Sequence, residues 1–212
     1  MKKSFLVLML AVAMLAMLPS CGGRDAADPV FEETTPSGLL LDADVTMGMT
    51  EGDVVNLYGD GTRTEQASQT PVIRVYTDNT CGYVTDGDLY LSFDYTTGFG
   101  FSGDNALTVV MHHFEYGDIS GETCQQLLDD IEAMLTTCYG EPTARGEKWL
   151  DTTYESDEGM LKYAIENGQY QRIVLWKAGD MGVILNAGDQ YVVYTTLENE
   201  ISNAQSQIAG LN

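Results

Sequence analysis

The sequence predicts an α+β protein of two similar units, each a helix packed on an antiparallel β-meander. Two stretches with helical apolar spacing end in the same way, as Tyr-Gly followed by an acid at 58–60 and 139–141. Each stretch precedes several runs of alternating apolar and polar residues, the pattern of half-buried strands. We place the first unit at residues 38–119 and the second, with a C-terminal helix, at residues 120–212.

The first 37 residues precede both units. Lys2 and Lys3 stand before an unbroken apolar run of 14 residues, 5–18. A membrane-spanning helix needs about 20 such residues, so the run predicts a cleaved signal peptide at residues 1–20. Residues 21–37 are small, polar and interrupted by proline, and we expect them to form a flexible tether.

The predicted signal peptide ends in Leu18-Pro19-Ser20, directly before Cys21. This ending resembles the lipobox of bacterial lipoproteins, although proline is a less usual residue at its middle position. The resemblance implies that Cys21 is acylated as the mature N-terminus, which would hold the protein on the extracytoplasmic face of the cell membrane. The alternative is an ordinary secretory signal followed by an incidental cysteine.

The chain is strongly acidic. Its 212 residues include 32 Asp and Glu against 10 Lys and Arg, and removal of residues 1–20 changes the formal net charge from −22 to −24. Such a surface repels nucleic acid and anionic lipid headgroups, so we expect no nucleic-acid partner and membrane contact only through the anchor. The acidity either keeps an exported protein soluble or presents an acidic face to a basic partner.

The first unit opens with a short helix. Thr50 is suited to cap it, with Asp53 completing a capping box, and Gly59 is suited to the left-handed conformation that ends it. Strand candidates follow at 72–77, 89–94 and 106–116. A glycine-rich turn is predicted at 96–103, where Phe99 and Phe101 form either a contact point or a cover for the end of the sheet.

The second unit opens with a longer helix over residues 124–138, with an apolar stripe at helical spacing. Thr123 with Gln126 fits a capping box better than Ser120 does, and Gly140 is suited to end the helix. Strand candidates lie at 148–154, 161–166, 170–177, 181–186 and 191–197, and a terminal amphipathic helix at 197–211. The pair at 167–168, Asn-Gly, is typical of a type I′ hairpin turn between the second and third of these strands.

Three cysteines remain after Cys21, so the folded part has at most one internal disulfide. Cys124 and Cys138 lie about 21 Å apart on one helix and cannot bond to each other. Cys81 could pair with either of them only if folding brings it close. We expect buried free thiols.

The opening of the first unit carries a family resemblance. Gly48-Met49-Thr50, a short helix and Leu57-Tyr58-Gly59-Asp60 resemble the SmpA/OmlA-type envelope lipoproteins and the β-lactamase-inhibitor-like fold, which has two such units in tandem. The proline expected after the glycine is absent here and present as Pro142 in the second unit, which in turn lacks the Gly-Met-Thr opening. The resemblance implies a binding or assembly role in a bacterial envelope.

The sequence offers little catalytic chemistry. His112 and His113 are neighbours on a strand and point to opposite faces, while His113 and Glu115 share a face and are the one candidate metal pair. The acidic turns at 86–88 and 156–159 do not match an EF-hand loop, and solvated turns are the better interpretation. We therefore predict no metal, no cofactor and no enzymatic activity, with a hydrolase that uses an acidic pair as the least favoured alternative.

Aromatic residues give the remaining functional signal, because protein interfaces are enriched in them. The function that the sequence favours is a membrane-anchored, non-enzymatic, inhibitor-like module that binds an envelope protein. The alternative is a structural component of envelope assembly. The candidate interaction surface consists of Tyr95, Phe99, Phe101, Trp149 and Trp176.

Overall fold

One antiparallel sheet of eight strands organises the fold, in a computed structural model that describes residues 34–85, 89–155 and 157–212. The predicted signal peptide, Cys21, most of the predicted tether and the acidic turn at 86–88 lie outside the described residues. The strands are β1 Thr62–Glu65, β2 Val72–Val84, β3 Tyr90–Phe101, β4 Leu107–Phe114, β5 Ala144–Trp149, β6 Tyr170–Ala178, β7 Met181–Asn186 and β8 Tyr191–Thr195. The helices are α1 Glu51–Tyr58, α2 Gly121–Tyr139, α3 Leu161–Glu166 and α4 Glu198–Leu211.

The strand order is β1-β2-β3-β4-β8-β7-β6-β5. Each half of the sheet is thus a four-stranded meander, and the halves join through β4 and β8, where Met111 lies opposite Val193. The prediction of an α+β protein with antiparallel meanders is confirmed. The sheet is continuous across the boundary that the sequence places at residue 120.

The sheet has two faces that are covered differently. We call the face that carries α1, α2 and α3 the inner face; it holds the larger core, which includes Val54, Leu128 and Trp176. We call the opposite face the outer face. Helix α4 packs there over β5, β6 and β7 and places Ile201 and Ile208 against Ile173, Leu175 and Ile184.

The predicted helix signals of the first unit are confirmed. The Thr50 hydroxyl accepts a hydrogen bond from the Asp53 N–H at 3.2 Å, and the Asp53 carboxylate accepts one from the Thr50 N–H at 2.9 Å. Helix α1 ends at Gly59, which has φ +84°, and α2 ends at Gly140, which has φ +80°. Both glycines have the positive φ that a residue with a side chain rarely adopts.

Of the two caps considered for α2, Ser120 is the one observed and the favoured Thr123 is not. The Ser120 hydroxyl accepts the hydrogen bond from the Thr123 N–H at 3.1 Å, so the helix begins one turn earlier than a Thr123 cap would allow. Gly121, directly after the cap, is buried, and this close packing favours the earlier start.

Three predicted elements of the sheet are also wrong. Residues 161–166 form α3 instead of a strand, because Leu161, Ala164 and Ile165 bury one helical face, and Asn167 with Gly168 ends that helix instead of forming a hairpin. Residues 96–101 continue β3 instead of forming a turn. The strand predicted at 148–154 is β5, which ends at Trp149.

The segment before α1 packs on the inner face as a strap, residues 36–49. Pro36 and Leu39 are buried, and the Tyr194 hydroxyl donates a hydrogen bond of 2.8 Å to the Leu39 carbonyl. The folded part therefore begins about two residues before the Gly38 start that the sequence predicts.

The cysteines of α2 lie on the same helix, as predicted. Cys124 and Cys138 are free thiols, and burial raises the pKa of Cys124 to about 12. Cys81 lies on β2 with its Sγ 3.2 Å from the place that a side chain at Gly38 would take, so the strap covers it. Within the described ranges, no helix is both long and apolar enough to cross a membrane.

Candidate interaction surface

Four of the five aromatic residues predicted as an interaction surface are buried. Tyr95, Phe99 and Phe101 are at odd-numbered positions of β3, all of which point to the inner face, and Trp176 points inward from β6. Because the structure packs these rings in the core, they cannot form an exposed surface, and the prediction fails for them. The alternative stated for Phe99 and Phe101, that they cover the end of the sheet from a turn, is also wrong, because both are inward-facing residues within β3.

Trp149 is the exception, since it is only half-buried. It lies on the edge strand β5 with its ring 4.9 Å from the ring of Tyr170. A shallow surface pocket beside it is lined by Glu147, Lys148, Thr152 and Glu155. The pocket opens widely to solvent, and Trp149 is the only large apolar side chain in its lining.

A charged network lies next to this pocket, on the inner face where α2 meets β5 and β6. Arg172 is only 3% exposed and donates hydrogen bonds to the Tyr170 hydroxyl at 2.9 Å and to Asp129 at 2.7 Å. Its guanidinium also lies 3.5 Å from Glu132 and 3.4 Å from Glu147. Arg145 pairs with the same two glutamates, at 2.9 and 2.8 Å.

The pKa directions in this network follow from its pairing. Burial alone would raise the pKa of Glu147, but the Tyr170 hydroxyl and the guanidinium groups of Arg172 and Arg145 lower it overall. Burial alone would lower the pKa of Arg172, and its partners raise it. Each carboxylate is paired with an arginine, so the network fastens α2 to the sheet.

The two histidines point to opposite faces, as predicted. His112 is buried on the inner face, where its Nδ1 lies 2.9 Å from the Thr97 hydroxyl oxygen and its ring packs between Tyr95 and Tyr194. Burial lowers the pKa of His112 to about 4, although the Leu40 carbonyl favours the protonated ring. That carbonyl does not have hydrogen-bond geometry toward Nε2, which has no partner among the described residues.

His113 lies on the outer side of β4, on the face opposite the charged network, and Glu115 directly follows that strand. Among the described residues, no group of three or more His, Cys, Asp or Glu side chains is placed to hold a metal ion. The acidic turns predicted at 86–88 and 156–159 fall wholly or partly outside the described residues.

The outer face carries a row of directly opposed residues that crosses most of the sheet. From β7 to β1 the row consists of Ile184, Val193, Met111, Gly98, Val75 and Thr62, each paired with the next. Helix α4 covers its beginning, where Ile184 is 6% and Val193 is 8% exposed. Met111, the next member, is 38% exposed. The cover therefore ends between β8 and β4.

We call the outward-facing positions of β1–β4 along this row and its two neighbouring rows the bare patch. The neighbouring rows are fixed by the pairs Val109–Gly100 and His113–Thr96. Of these positions, Val109 packs against the core cluster under α4 and Thr70 lies over Gly100, and no described helix covers the others. The bare patch consists of Thr62, Thr64, Ile73, Val75, Thr96, Gly98, Gly100, Val109, Met111 and His113.

The bare patch has no carboxylate and no Lys or Arg, and His113 is its only titratable residue. In a chain with 32 acidic residues, an uncharged area of sheet is unusual. Apart from His113, its residues are β-branched, glycine or methionine, and three of the ten are threonines. One feature of the sequence indicates this patch, namely the alternation of larger and smaller residues at 96–101. The prediction of a turn there led us to overlook it.

No model of a known protein family matches the chain, and the comparisons with curated proteins and with solved structures also find no match.

Proposed function

We propose that this chain is an extracytoplasmic lipoprotein whose folded part is a non-enzymatic module that binds another protein through the bare patch. The anchor is the acylated Cys21, and the segment up to residue 35 is the tether. The proposal combines the lipobox resemblance of residues 18–21 with a folded part that offers an uncharged half-face of sheet. No helix or strand of the module is needed for membrane contact.

The observation that carries the binding role is the contrast between the bare patch and the rest of the acidic surface. Association of this chain through any strongly acidic surface would have to desolvate carboxylates, which is costly without matched partners. The bare patch offers apolar and hydroxyl-bearing side chains that a partner can cover at low desolvation cost. Met111 and Val75 flank Gly98 and form the most apolar part of the bare patch.

We also propose that the fold is a tandem of two related units, as in the β-lactamase-inhibitor-like fold. Two features support this. Each half of the sheet is a four-stranded meander, and each meander follows a helix that ends on a glycine with positive φ. In this view, β4 and β8 are corresponding strands, and the joint between them is the interface between the units.

The alternative function, a structural component of envelope assembly, is favoured by a different feature. Strand β1 pairs with β2 only from Val72 to Val75, and no described strand pairs with that edge of β2 from Tyr76 to Val84. An open edge can accept a further strand from another protein. The register shift between Tyr76 and Asn79 interrupts this edge, which weakens it as a template for pairing.

The anchor is tested in the bacterium that produces the protein. Cys21→Ala is expected to leave the precursor uncleaved, as is an inhibitor of lipoprotein signal peptidase. Membrane fractionation and intact mass report both results. Normal cleavage of the Cys21→Ala precursor, with the product still bound to membranes, would show that Cys21 is not the attachment site.

The binding role is tested by photocrosslinking in the same cells. A benzophenone amino acid at Met111 is expected to yield a discrete protein adduct on irradiation of the envelope. The matched control places the same amino acid at Lys177, which is also exposed on the outer face but lies outside the bare patch. Adducts that are absent at both positions, or equal at both, would contradict a binding role for the bare patch.

A further inference from the structure

The glycines within the strands share one property. At all five, a side chain would face the outer side of the sheet, because each glycine lies directly opposite an outward-facing residue of the neighbouring strand. They are Gly82 on β2, Gly98 and Gly100 on β3, Gly146 on β5 and Gly182 on β7. Glycine weakens a strand, and its presence inside one often marks a place where another group comes close to the backbone.

In the half of the sheet under α4, the close group is the helix. A Cβ at Gly182 would lie 2.7 Å from Ile201 Cγ1, and one at Gly146 would lie 2.9 Å from the Ile208 carbonyl oxygen. These two glycines therefore let α4 approach the sheet more closely than side chains would allow. The helix is 14 residues long and presents Ile201, Ala204, Ile208 and Leu211 to the sheet.

In the other half, two of the three glycines are covered by local side chains. The ring of Tyr90 lies over Gly82, and Thr70 lies over Gly100 with its Cγ2 3.1 Å from the position of a Cβ there. Gly98 differs from all the others. The only atom near the position of its Cβ is the Met111 carbonyl oxygen at 4.0 Å, which belongs to the neighbouring strand. Gly98 thus forms an open notch between Val75 and Met111.

The bare patch is wide enough for one helix. From Val109 to His113 the patch extends about 13 Å along β4, and β1 to β4 span about 14 Å at the usual strand spacing. A helix has a diameter of about 10 Å and rises about 1.5 Å per residue, so two to three turns cover the patch and the ends of a 14-residue helix lie over its borders. The patch area of about 200 Å² is well below the roughly 800 Å² per partner of a stable complex between two large surfaces, which disfavours a second copy of this acidic chain.

Carboxylates border the patch. Asp94 and Glu115 are exposed beyond Thr96 and His113, and their backbones are joined by a hydrogen bond of 3.1 Å. On the side of β8, burial raises the pKa of Tyr191, and the nearby carboxylates of Asp189 and Glu200 raise it further. An occupant of the patch therefore meets an uncharged centre and negative borders, and cationic side chains at its flanks would be attracted to those borders.

We propose that the bare patch docks an amphipathic helix of a partner protein, with an apolar side chain in the notch above Gly98 and Lys or Arg at the flanks. This inference depends on the proposed function and specifies the class of partner. The occupant would lie on the bare half of the outer face as α4 lies on the covered half. Apolar anchors at positions i, i+3 and i+7 would contact Met111, the notch above Gly98 and Val75, which together span two strand spacings of about 5 Å each.

The first experiment uses a defined probe and the mature chain with Cys21→Ala. The probe is a 14-residue amidated peptide with Leu at positions i, i+3, i+7 and i+10, Lys at the flanks and a fluorophore, and binding is followed by anisotropy. Two control peptides have the same composition in scrambled order, or Glu in place of Lys. The ordered basic peptide is expected to bind, and each control about tenfold more weakly.

Variants of the chain separate docking from general attraction between a cation and an acidic protein. Gly98→Leu fills the notch and is expected to weaken binding about tenfold. Met111→Glu adds a negative charge, so general attraction predicts tighter binding, whereas docking predicts weaker binding. Leu57→Glu, at an exposed apolar residue of α1 away from the patch, is the matched control. Tighter binding by Met111→Glu, or equal binding of the scrambled peptide, would overturn the inference.

The second experiment distinguishes failure of the inference from failure of the proposed function. The protein crosslinked at Met111 is digested, and the attached peptide is identified. A basic amphipathic helix supports the inference. A different segment, a second copy of this chain or attached lipid overturns it, and the first two of these outcomes leave the proposed protein-binding role intact. Absence of any protein adduct contradicts that role as well.

Discussion

The two halves of the sheet are built from the same kind of meander and differ in how many of their faces are covered. Strands β5–β7 lie between α2 and α3 on one face and α4 on the other, and α4 buries the outward-facing residues Ile173, Leu175 and Ile184. Strands β1–β4 have α1 and the strap on the inner face and no described helix on the outer face. We therefore expect the half under α4 to contribute more to stability, and the other half is the one that our proposal assigns to a partner.

The same comparison shows that glycines in this sheet have two kinds of surroundings. Gly146 and Gly182 are explained within the chain, since α4 lies against them. Gly98 occupies the equivalent kind of position without any described group above it. A strand glycine often marks a place where another group comes close to the backbone, so under the docking proposal the group above Gly98 is the partner helix.

The largest expected effect comes from the inner side of the covered half. Arg172→Met would leave Asp129, Glu132 and Glu147 close together without their shared guanidinium, and we expect the free energy of unfolding to fall by about 3 kcal/mol. Chemical denaturation at pH 7 measures the loss. The matched control is Arg63→Met on β1, whose pairs with Glu51 and Glu65 are more exposed. A loss at Arg63 equal to that at Arg172 would contradict the assignment of stability to the covered half.

The second effect depends on pH and tests the joint between the halves. Since the pKa of His112 is about 4 in the folded protein and its ordinary value is 6.5, the unfolded chain binds the proton first as pH falls. The stabilisation is present above pH 6.5 and is lost progressively between pH 6.5 and 4. Between pH 7 and 4.5, we expect wild type to lose about 2–3 kcal/mol more than His112→Phe.

Urea denaturation at several pH values measures that difference, and the curve at pH 7.5 establishes that the variant folds. Protonated carboxylates affect both proteins alike, so only the difference between the two curves reports His112. Parallel curves for wild type and variant would mean that the ring accepts its proton within the fold.

The third effect concerns the packing of α4. A Cβ at Gly146 would meet the Ile208 carbonyl oxygen at 2.9 Å and Leu211 Cβ at 3.1 Å, so backbone atoms would have to move. We expect Gly146→Ala to lower the free energy of unfolding by about 2 kcal/mol. Thermal and chemical denaturation measure it, and faster amide exchange in α4 than in α2 would locate it. An unchanged unfolding midpoint would mean that α4 does not pack closely against the sheet at Gly146.

The fourth effect should be equal in the two halves. Gly59 and Gly140 end α1 and α2 with nearly the same positive φ, and neither has an atom within 4 Å of the position of a Cβ. Replacement by Ala therefore costs only backbone strain, about 1–2 kcal/mol at each position, because positive φ with ψ −167° or −169° is a conformation found almost only in glycine. Unfolding midpoints of the two variants test this, and a marked difference between them would argue against the proposal that the two units are related.

Local signals in the sequence were sufficient where the physics is local. Thr50, Asp53, Gly59 and Gly140 were predicted correctly because capping and helix ends depend on neighbours in the chain. The apolar stripe of α2 and the terminal helix were also predictable, because both have a sustained helical period. Residues 161–166 were misassigned because six residues are too few to separate a helical from a strand period, and Asn167-Gly168 suits a helix end as well as a hairpin.

The candidate site could not be predicted because it depends on which side of the sheet each residue faces. Phe99 and Phe101 attracted notice as aromatic residues in a supposed turn, whereas the strand buries them and presents Gly98 and Gly100 instead. Arg172 could not be predicted as a central residue, because its partners come from α2 and β5, far away in sequence. Whether a strand has one or both faces covered is decided by α4, and no local pattern near β3 reports where that helix ends.

The smallest expected effect is the most specific to the comparison. Gly98→Ala adds a methyl group where nothing is in the way and φ is not in the left-handed region, so lower entropy in the unfolded chain should raise the free energy of unfolding by up to about 0.5 kcal/mol. Set beside Gly146→Ala, the same change in the same kind of row should therefore have the opposite sign. If instead Gly98→Ala destabilises the isolated protein as Gly146→Ala does, the glycine serves the sheet itself and no empty place exists above it. If Gly98→Ala stabilises the protein and weakens only partner binding, then Gly98 lowers the stability of β3 in the free protein and serves the complex with the partner.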